Sequence, residues 1–270
     1  MKPLTFTLRA APEERLDLSV LIPEKLRGFS ASQIASLPIG TSRFPATVGD
    51  LFRQKGTDFS DIVFEGGSSR FDFLGEGMAA GRIRMIGDVG IRAGRRLAGG
   101  TILIEGDAGP EVGSGMKGGR IEISGNAGDG IGAPTAGEVT GMAGGLIVVR
   151  GRAGHRAGER MRRGIIVVLK GCGDYAGLNM VAGTIAATGR IGRYPGHLMR
   201  RGSLLFERRP IELSPTFSDC GRVDIAFPEM FDRYLIAEKI LDRPLLGARP
   251  LRYGGDNAVF GKGEIMFRRG

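Results

Sequence analysis

The chain has 270 residues, 41% of them hydrophobic, enough to bury a substantial core in one domain or in one elongated domain with small appendages. No apolar run approaches the roughly 18 residues of a membrane span, and the N-terminal MKPLTFTLRAAPEERLD lacks the charged-then-apolar layout of a secretory leader, so a cytoplasmic protein outside the membrane is expected. A formal net charge of +9 favours an acidic partner, while two cysteines, Cys172 and Cys220, and two histidines, His155 and His197, form neither a disulfide framework nor an ordinary zinc site, so no metal is expected in this chain.

In chain order, residues 1–56 read as an N-terminal cap with two short helices, Ser30–Leu37 and Thr47–Lys55, separated by Pro38 and Pro45. Ile62 to Gly77 resembles a degenerate first repeat. From there an anchor, usually methionine, recurs at Met78, Leu97, Met116, Met142, Met161, Met180 and Met199, in steps of 19, 19, 26, 19, 19 and 19 residues. Three residues after each anchor stands a glycine (Gly81, Gly100, Gly119, Gly145, Gly164, Gly183 and Gly202), and sixteen after it another in the six complete units, Gly94 to Gly196. Between them, apolar residues five and seven after the anchor, such as Ile102 and Ile104 or Ile147 and Val149, show the two-residue period of a strand.

One such unit cannot bury its own apolar side, so units must stack, like residue over like, about 4.8 Å apart, with the glycines at turns that need positive φ or close backbone approach. The reading is an all-β fold, a right-handed parallel β-helix of 19-residue coils over residues 57–206, with small mixed α/β caps at its two ends. The longer step places an insertion at Ala133 to Gly141, expected as a surface loop. Residues 207–270 form the C-terminal cap, with a helix expected over Pro228–Leu241 and a turn-rich tail, RYGGDNAVFGKGEIMF.

Two features are left over by the repeat. Leu146, Val148, Ile165, Val167 and Leu169 point to the outer side of their strands, an apolar face larger than soluble monomers expose; either the chain's own termini or a partner protein must cover it, and the five are candidates for a partner interface. Arg162, Arg163, Arg200 and Arg201, with Lys170, recur at matched positions and form a candidate ladder for a polycarboxylate or an acidic protein surface. Nucleic acid is disfavoured by sparse aromatics, with four tyrosines and no tryptophan. His155 and His197 fall in different columns and read as surface residues, and no catalytic residue is assigned.

The repeat, in MKGGRIEISGNAG from Met116 and MAGGLIVVRGRAG from Met142, resembles the C-subunit family of formylmethanofuran dehydrogenase, most closely in the form found in the formyltransferase/hydrolase complex of methylotrophic bacteria, and more distantly the glycine-repeat domain of glutamate synthase. The resemblance covers most of the chain, including RYGGDNAVFGKGEI. It implies a cytoplasmic hetero-oligomer in one-carbon metabolism with catalytic subunits A, B and D, moving a formyl group between tetrahydromethanopterin and methylofuran and releasing formate. The alternatives are the C subunit of a tungsten or molybdenum formylmethanofuran dehydrogenase that reduces CO2, and a module that binds the polyglutamate tail of the carrier. In each case methylofuran or methanofuran and any metals are expected on partner subunits, with no cofactor in this chain.

Overall fold

The computed structural model describes residues 2–268. The N-terminal region holds β1 (Pro3–Leu8), β2 (Leu16–Asp17), short helices α1 (Pro23–Leu26), α2 (Ala31–Ala35) and α3 (Val48–Leu51), then β3 (Phe52–Lys55), β4 (Asp58–Glu65) and β5 (Phe71–Asp72). Seven strands follow at the repeat: β6 (Arg82–Ile86), β7 (Thr101–Ile104), β8 (Arg120–Ile123), β9 (Ala143–Val149), β10 (Arg163–Val168), β11 (Thr184–Ala187) and β12 (Ser203–Phe206). The chain closes with β13 (Ser218–Arg222), helix α4 (Ala226–Ala237), β14 (Leu251–Gly255) and β15 (Gly263–Phe267).

Strands dominate, and most of them lie in one large, mostly parallel sheet, ordered β13-β14-β15-β12-β11-β10-β9-β8-β7-β6-β4-β1-β3; β2 and β5 pair separately. The register stacks equivalent residues: Ile83 on Ile102, Ile102 on Ile121, Ile121 on Ile147, Ile147 on Ile166, Ile166 on Ile185 and Ile185 on Leu204. A second row of parallel bridges runs through Val89, Ala108, Ala127, Ala153, Cys172 and Ile191. The methionine and leucine anchors and the apolar columns five and seven residues after them are buried in one continuous core, which reaches into the N-terminal cap through Phe6, Phe52, Phe64 and Phe71.

Glycine at two repeat positions is forced for different reasons. Gly119 has φ +81°, and a Cβ there would sit 2.7 Å from Gly100 O; the turn before each strand is thus both left-handed and in backbone contact with the unit beneath. Gly113 has φ +65°, and its Cβ would overlap Ile147 Cδ1, two units further along the chain. Side chains complete the stacking at the turns after the strands. The Asp88, Asp107 and Asn126 side chains accept the N–H groups of Asp107 (2.8 Å), Asn126 (2.7 Å) and Arg152 (3.0 Å), satisfying donors that the turns would otherwise leave orphaned.

Several sequence expectations need correction. The helix expected over Thr47–Lys55 stops at Leu51, because Phe52–Lys55 pairs antiparallel with β1, Leu8 opposite Phe52; tertiary pairing overrides local propensity. The tail expected to be only turn-rich supplies β15, which adds a parallel strand next to β12, Leu204 opposite Ile265. The insertion is a surface loop but is tied down, since Glu138 Oε1 accepts from Arg95 and Arg96, 2.7 Å each. The helix expected over Pro228–Leu241 runs from Ala226 to Ala237 and is followed by Lys239 in the left-handed region.

This packing sets the sensitivity of individual positions. Gly113→Ala should destabilise the chain by about 2–4 kcal/mol in chemical denaturation, the left-handed backbone and the overlap adding, whereas Gly137→Ala, at φ +85° with open space around its Cβ, should cost only about 1–2 kcal/mol. Burial raises the Glu138 carboxyl's pKa, but hydrogen bonds from Arg96, Thr135 and Arg95 outweigh it and hold the value at about 2. Its contribution is therefore present above the ordinary carboxylate value of 4.5 and lost as pH falls towards 2. Glu138→Gln should cost about 1–2 kcal/mol at neutral pH, allowing for the exposure of Arg96, and the gap from the unsubstituted chain should close as pH falls through that window.

Candidate docking surfaces

The outer face of the sheet changes character along the stack. On β7 and β8 burial alternates, Ile102 and Ile104 inside, Thr101 and Leu103 partly exposed. On β9, Leu146 through Val149 are buried without interruption, as expected for a strand covered on both sides. The outward column runs Glu122, Val148, Val167, Ala186, Leu205 and Met266.

The cover is the chain itself. Phe231 and Leu235, one turn apart on α4, together with Ile240, Leu245 and Leu246 from the segment after it, pack onto Leu146, Val148, Val167, Ala186, Leu205 and Met266, with Ile165 and Leu169 at the margin. Each fully buried aliphatic side chain here contributes about 1.5–3 kcal/mol. Polar contacts fix the cover: the buried Asp232 carboxylate accepts from Leu245 N–H at 2.8 Å and Gly247 N–H at 3.0 Å, Arg120 pairs with Glu238 at 2.7 Å and Arg243 with Glu207 at 2.6 Å. Leu146, Val148, Ile165, Val167 and Leu169, expected as a possible partner interface, are therefore occupied by the C-terminal segment, and Val148 and Val167 are wholly inaccessible.

The five basic residues do not form one ladder. Arg162, Arg200 and Arg201 lie in the turns entering β10 and β12 and Arg163 opens β10, all four exposed. Lys170 follows the far end of β10, in an open groove of about 900 Å³ with Glu207, Lys239, Asp242 and Arg243. Lys262 joins the first group, its N–H donating to Arg200 O at 2.6 Å. Sequence reasoning missed this residue, although Gly263, Ile265 and Phe267 repeat the glycine, isoleucine and apolar spacing of the units and carry the signal. Among the described residues none of Arg162, Arg163, Arg200, Arg201 and Lys262 forms an ion pair. Some cations elsewhere pair with carboxylates of adjacent units, as in Arg82–Asp61 at 2.7 Å and Arg92–Glu111 at 2.6 Å.

Three of the remaining reactive side chains, His155, His197 and Cys172, are engaged by the fold, while Cys220 is exposed. His155 Nδ1 accepts the Asp174 N–H at 3.0 Å, while Asp129 accepts the His155 N–H at 2.7 Å and Asp174 accepts that of Arg193 at 2.8 Å; polar residues recurring thirteen after the anchor are the sequence signal of this second side-chain row. His197 packs edge-on against Tyr175, 6.0 Å between ring centres. Burial pushes the Cys172 thiol up to about 12, which removes it as a nucleophile at neutral pH. Among the described residues no three His, Cys, Asp or Glu side chains converge in a metal-binding arrangement.

Because α4 is an internal cover, Leu235→Ala should destabilise the isolated chain by about 2–4 kcal/mol and expose the segment after α4 to proteolysis; unchanged stability would mean that the helix is not seated on the sheet.

No family model matches the chain. Over 88 residues it is 42% identical to the Fhc C subunit of the formyltransferase/hydrolase complex of Methylorubrum extorquens, a match that spans 33% of this chain and 33% of that relative. A chain in the crystal structure of the formyltransferase/hydrolase complex FhcABCD from Methylorubrum extorquens, in complex with methylofuran, superposes with a TM-score of 0.92 and 40% sequence identity, covering 98% of this chain and 100% of its own. With that relative matched end to end at this identity, the chain belongs to the family of the C subunit of formyltransferase/hydrolase complexes.

Proposed function

We propose that the chain is a non-catalytic scaffold, a right-handed parallel β-helix of 19-residue coils over residues 57–206 with caps at 1–56 and 207–270, within a cytoplasmic hetero-oligomer. Its partners are the catalytic subunits A, B and D, which move a formyl group between tetrahydromethanopterin and methylofuran and release formate. The observation that carries this reading is the end-to-end likeness to a chain of the FhcABCD complex. The 19-residue register and the second row of bridges support the coil geometry, and right-handedness follows the general rule for parallel crossovers.

The non-catalytic role is supported by how the side chains are used. The glycine, methionine and isoleucine columns pack the core, the Asp, Asn and His residues of the turns satisfy backbone donors, and Cys172 is buried. Among the described residues no serine, threonine or cysteine side chain is hydrogen-bonded to a histidine, the pairing that most often activates a nucleophile; His155 Nδ1 is taken up by the Asp174 N–H. Methylofuran and any metals then sit on partner subunits.

The test is to tag the chain in its own cell and identify what accompanies it. The A, B and D subunits should co-purify, with formyl transfer and formate release by the complex and no turnover by the chain alone. Turnover by the isolated chain would contradict the scaffold reading, and a tungsten or molybdenum protein in the complex would replace formyl transfer with CO2 reduction.

A further inference from the structure

The tail holds the most exposed large apolar side chain of the described residues. Phe260 is 93% exposed, against 72% for Val139 and 64% for Met230, and it stands in the left-handed region at φ 52°, ψ 34°. A non-glycine residue in that region costs about 1–2 kcal/mol, and such strain persists only where the surroundings impose it.

The surroundings here are extensive. Asp256 is fully buried; its carboxylate accepts the Ala258 N–H at 2.9 Å and the Leu198 N–H at 2.8 Å, and its carbonyl accepts the Gly261 N–H at 2.8 Å. The Asn257 N–H donates to Thr216 O at 3.0 Å, and the Phe260 N–H to Asn257 O at 3.3 Å. Any side chain at position 261 would overlap Met199 O. The loop from Asp256 to Lys262 is thus bolted to the turn before β12, and it holds a benzyl group out into solvent where it buries almost nothing of its own chain.

Charge supplies the second observation. The same loop ends at Lys262, bonded to Arg200 O; Arg200 and Arg201 adjoin it just before β12, and Arg162 and Arg163 stand two strands further along the sheet, with the exposed Val181 between the Arg162 and Arg200 rows. Among the described residues none of these five exposed cations has a carboxylate partner, so positive charge stands uncompensated beside the loop.

We propose that Phe260 and its basic rim form a docking knob for another protein of the complex, the ring entering an apolar pocket whose edge carries Asp and Glu side chains that pair with Arg200, Arg201 and Lys262. This rests on the reading of the chain as part of a larger complex and names the surface that makes the contact. A rigid aromatic anchor with arginines beside it has the composition of an interface hot spot, and guanidinium groups match carboxylates two bonds at a time. One ring gives no stacking platform for single-stranded nucleic acid and too little apolar area to hold the chain on a lipid surface.

The test uses the intact complex, purified from the native cell with its A, B and D subunits, and follows loss of this chain by native mass spectrometry across a salt series. Phe260→Asn removes the ring and keeps a residue that tolerates the left-handed turn; Arg200→Glu with Arg201→Glu reverses the rim. Phe260→Asn should raise the dissociation constant about 30-fold or more. The charge reversal should weaken assembly most at low salt and flatten its salt dependence. Both variant chains should melt at the unsubstituted temperature when isolated. Complexes as stable as the unsubstituted one would overturn the proposal, as would variants that lose only binding to anionic lipid vesicles or affinity for a polyglutamate-tailed carrier while assembly stays intact. If the unsubstituted chain brings down none of A, B and D, the reading of the chain as part of that complex falls first and this one with it.

Discussion

The parallel register that places each residue on its counterpart 19 positions away governs the rest of the molecule. In such a stack a residue must be compatible with a copy of its own column above and below, so every column is selected for self-packing. Isoleucine stacks on isoleucine in the core, glycine on glycine where the backbone of one unit touches the next, and Asp or Asn on Asp or Asn where a side-chain oxygen caps the N–H of the unit above. The seven-residue excess between Met116 and Met142 leaves the register intact, Ile121 still facing Ile147, because the insertion at Ala133 to Gly141 leaves the strand path and is held by Glu138 against Arg95 and Arg96.

That constraint explains what can be read from the sequence. The columns at Ile102 or Gly119 are visible because the same demand recurs in each unit, and the side-chain row at Asp88, Asp107 and Asn126 carries the same periodic signal, although its role as a backbone cap emerges only with the structure. Contacts made once leave no such trace. Nothing periodic says that Phe231 and Leu235 lie on Val148 and Val167, or that Phe52 leaves a helix to pair with Leu8. The outward apolar face at Leu146 and Ile165 visibly needs a cover, but one sequence holds no information that distinguishes an internal cover from an external one. In the folded chain that cover is α4 and the segment after it.

The consequence for function is a shift of place. With the apolar face sealed internally, the candidate contact surface moves to the loop that carries Phe260, beside Arg200, Arg201 and Lys262. Lys170, grouped with these arginines by spacing alone, belongs to a separate groove beyond the far end of β10. Burial engages Cys172, and hydrogen bonding engages His155 and the Asp and Asn residues of the turns.

Hydrogen–deuterium exchange of this chain, free and within its purified complex, tests that account most directly. New protection on assembly should appear in the loop from Asp256 to Lys262 and in the turn at Arg200 and Arg201, while the amides of β9, β10 and α4 exchange alike in both states. Protection gained chiefly across β9 and β10, with faster exchange in α4, would show that a partner displaces the helix, and would contradict the account.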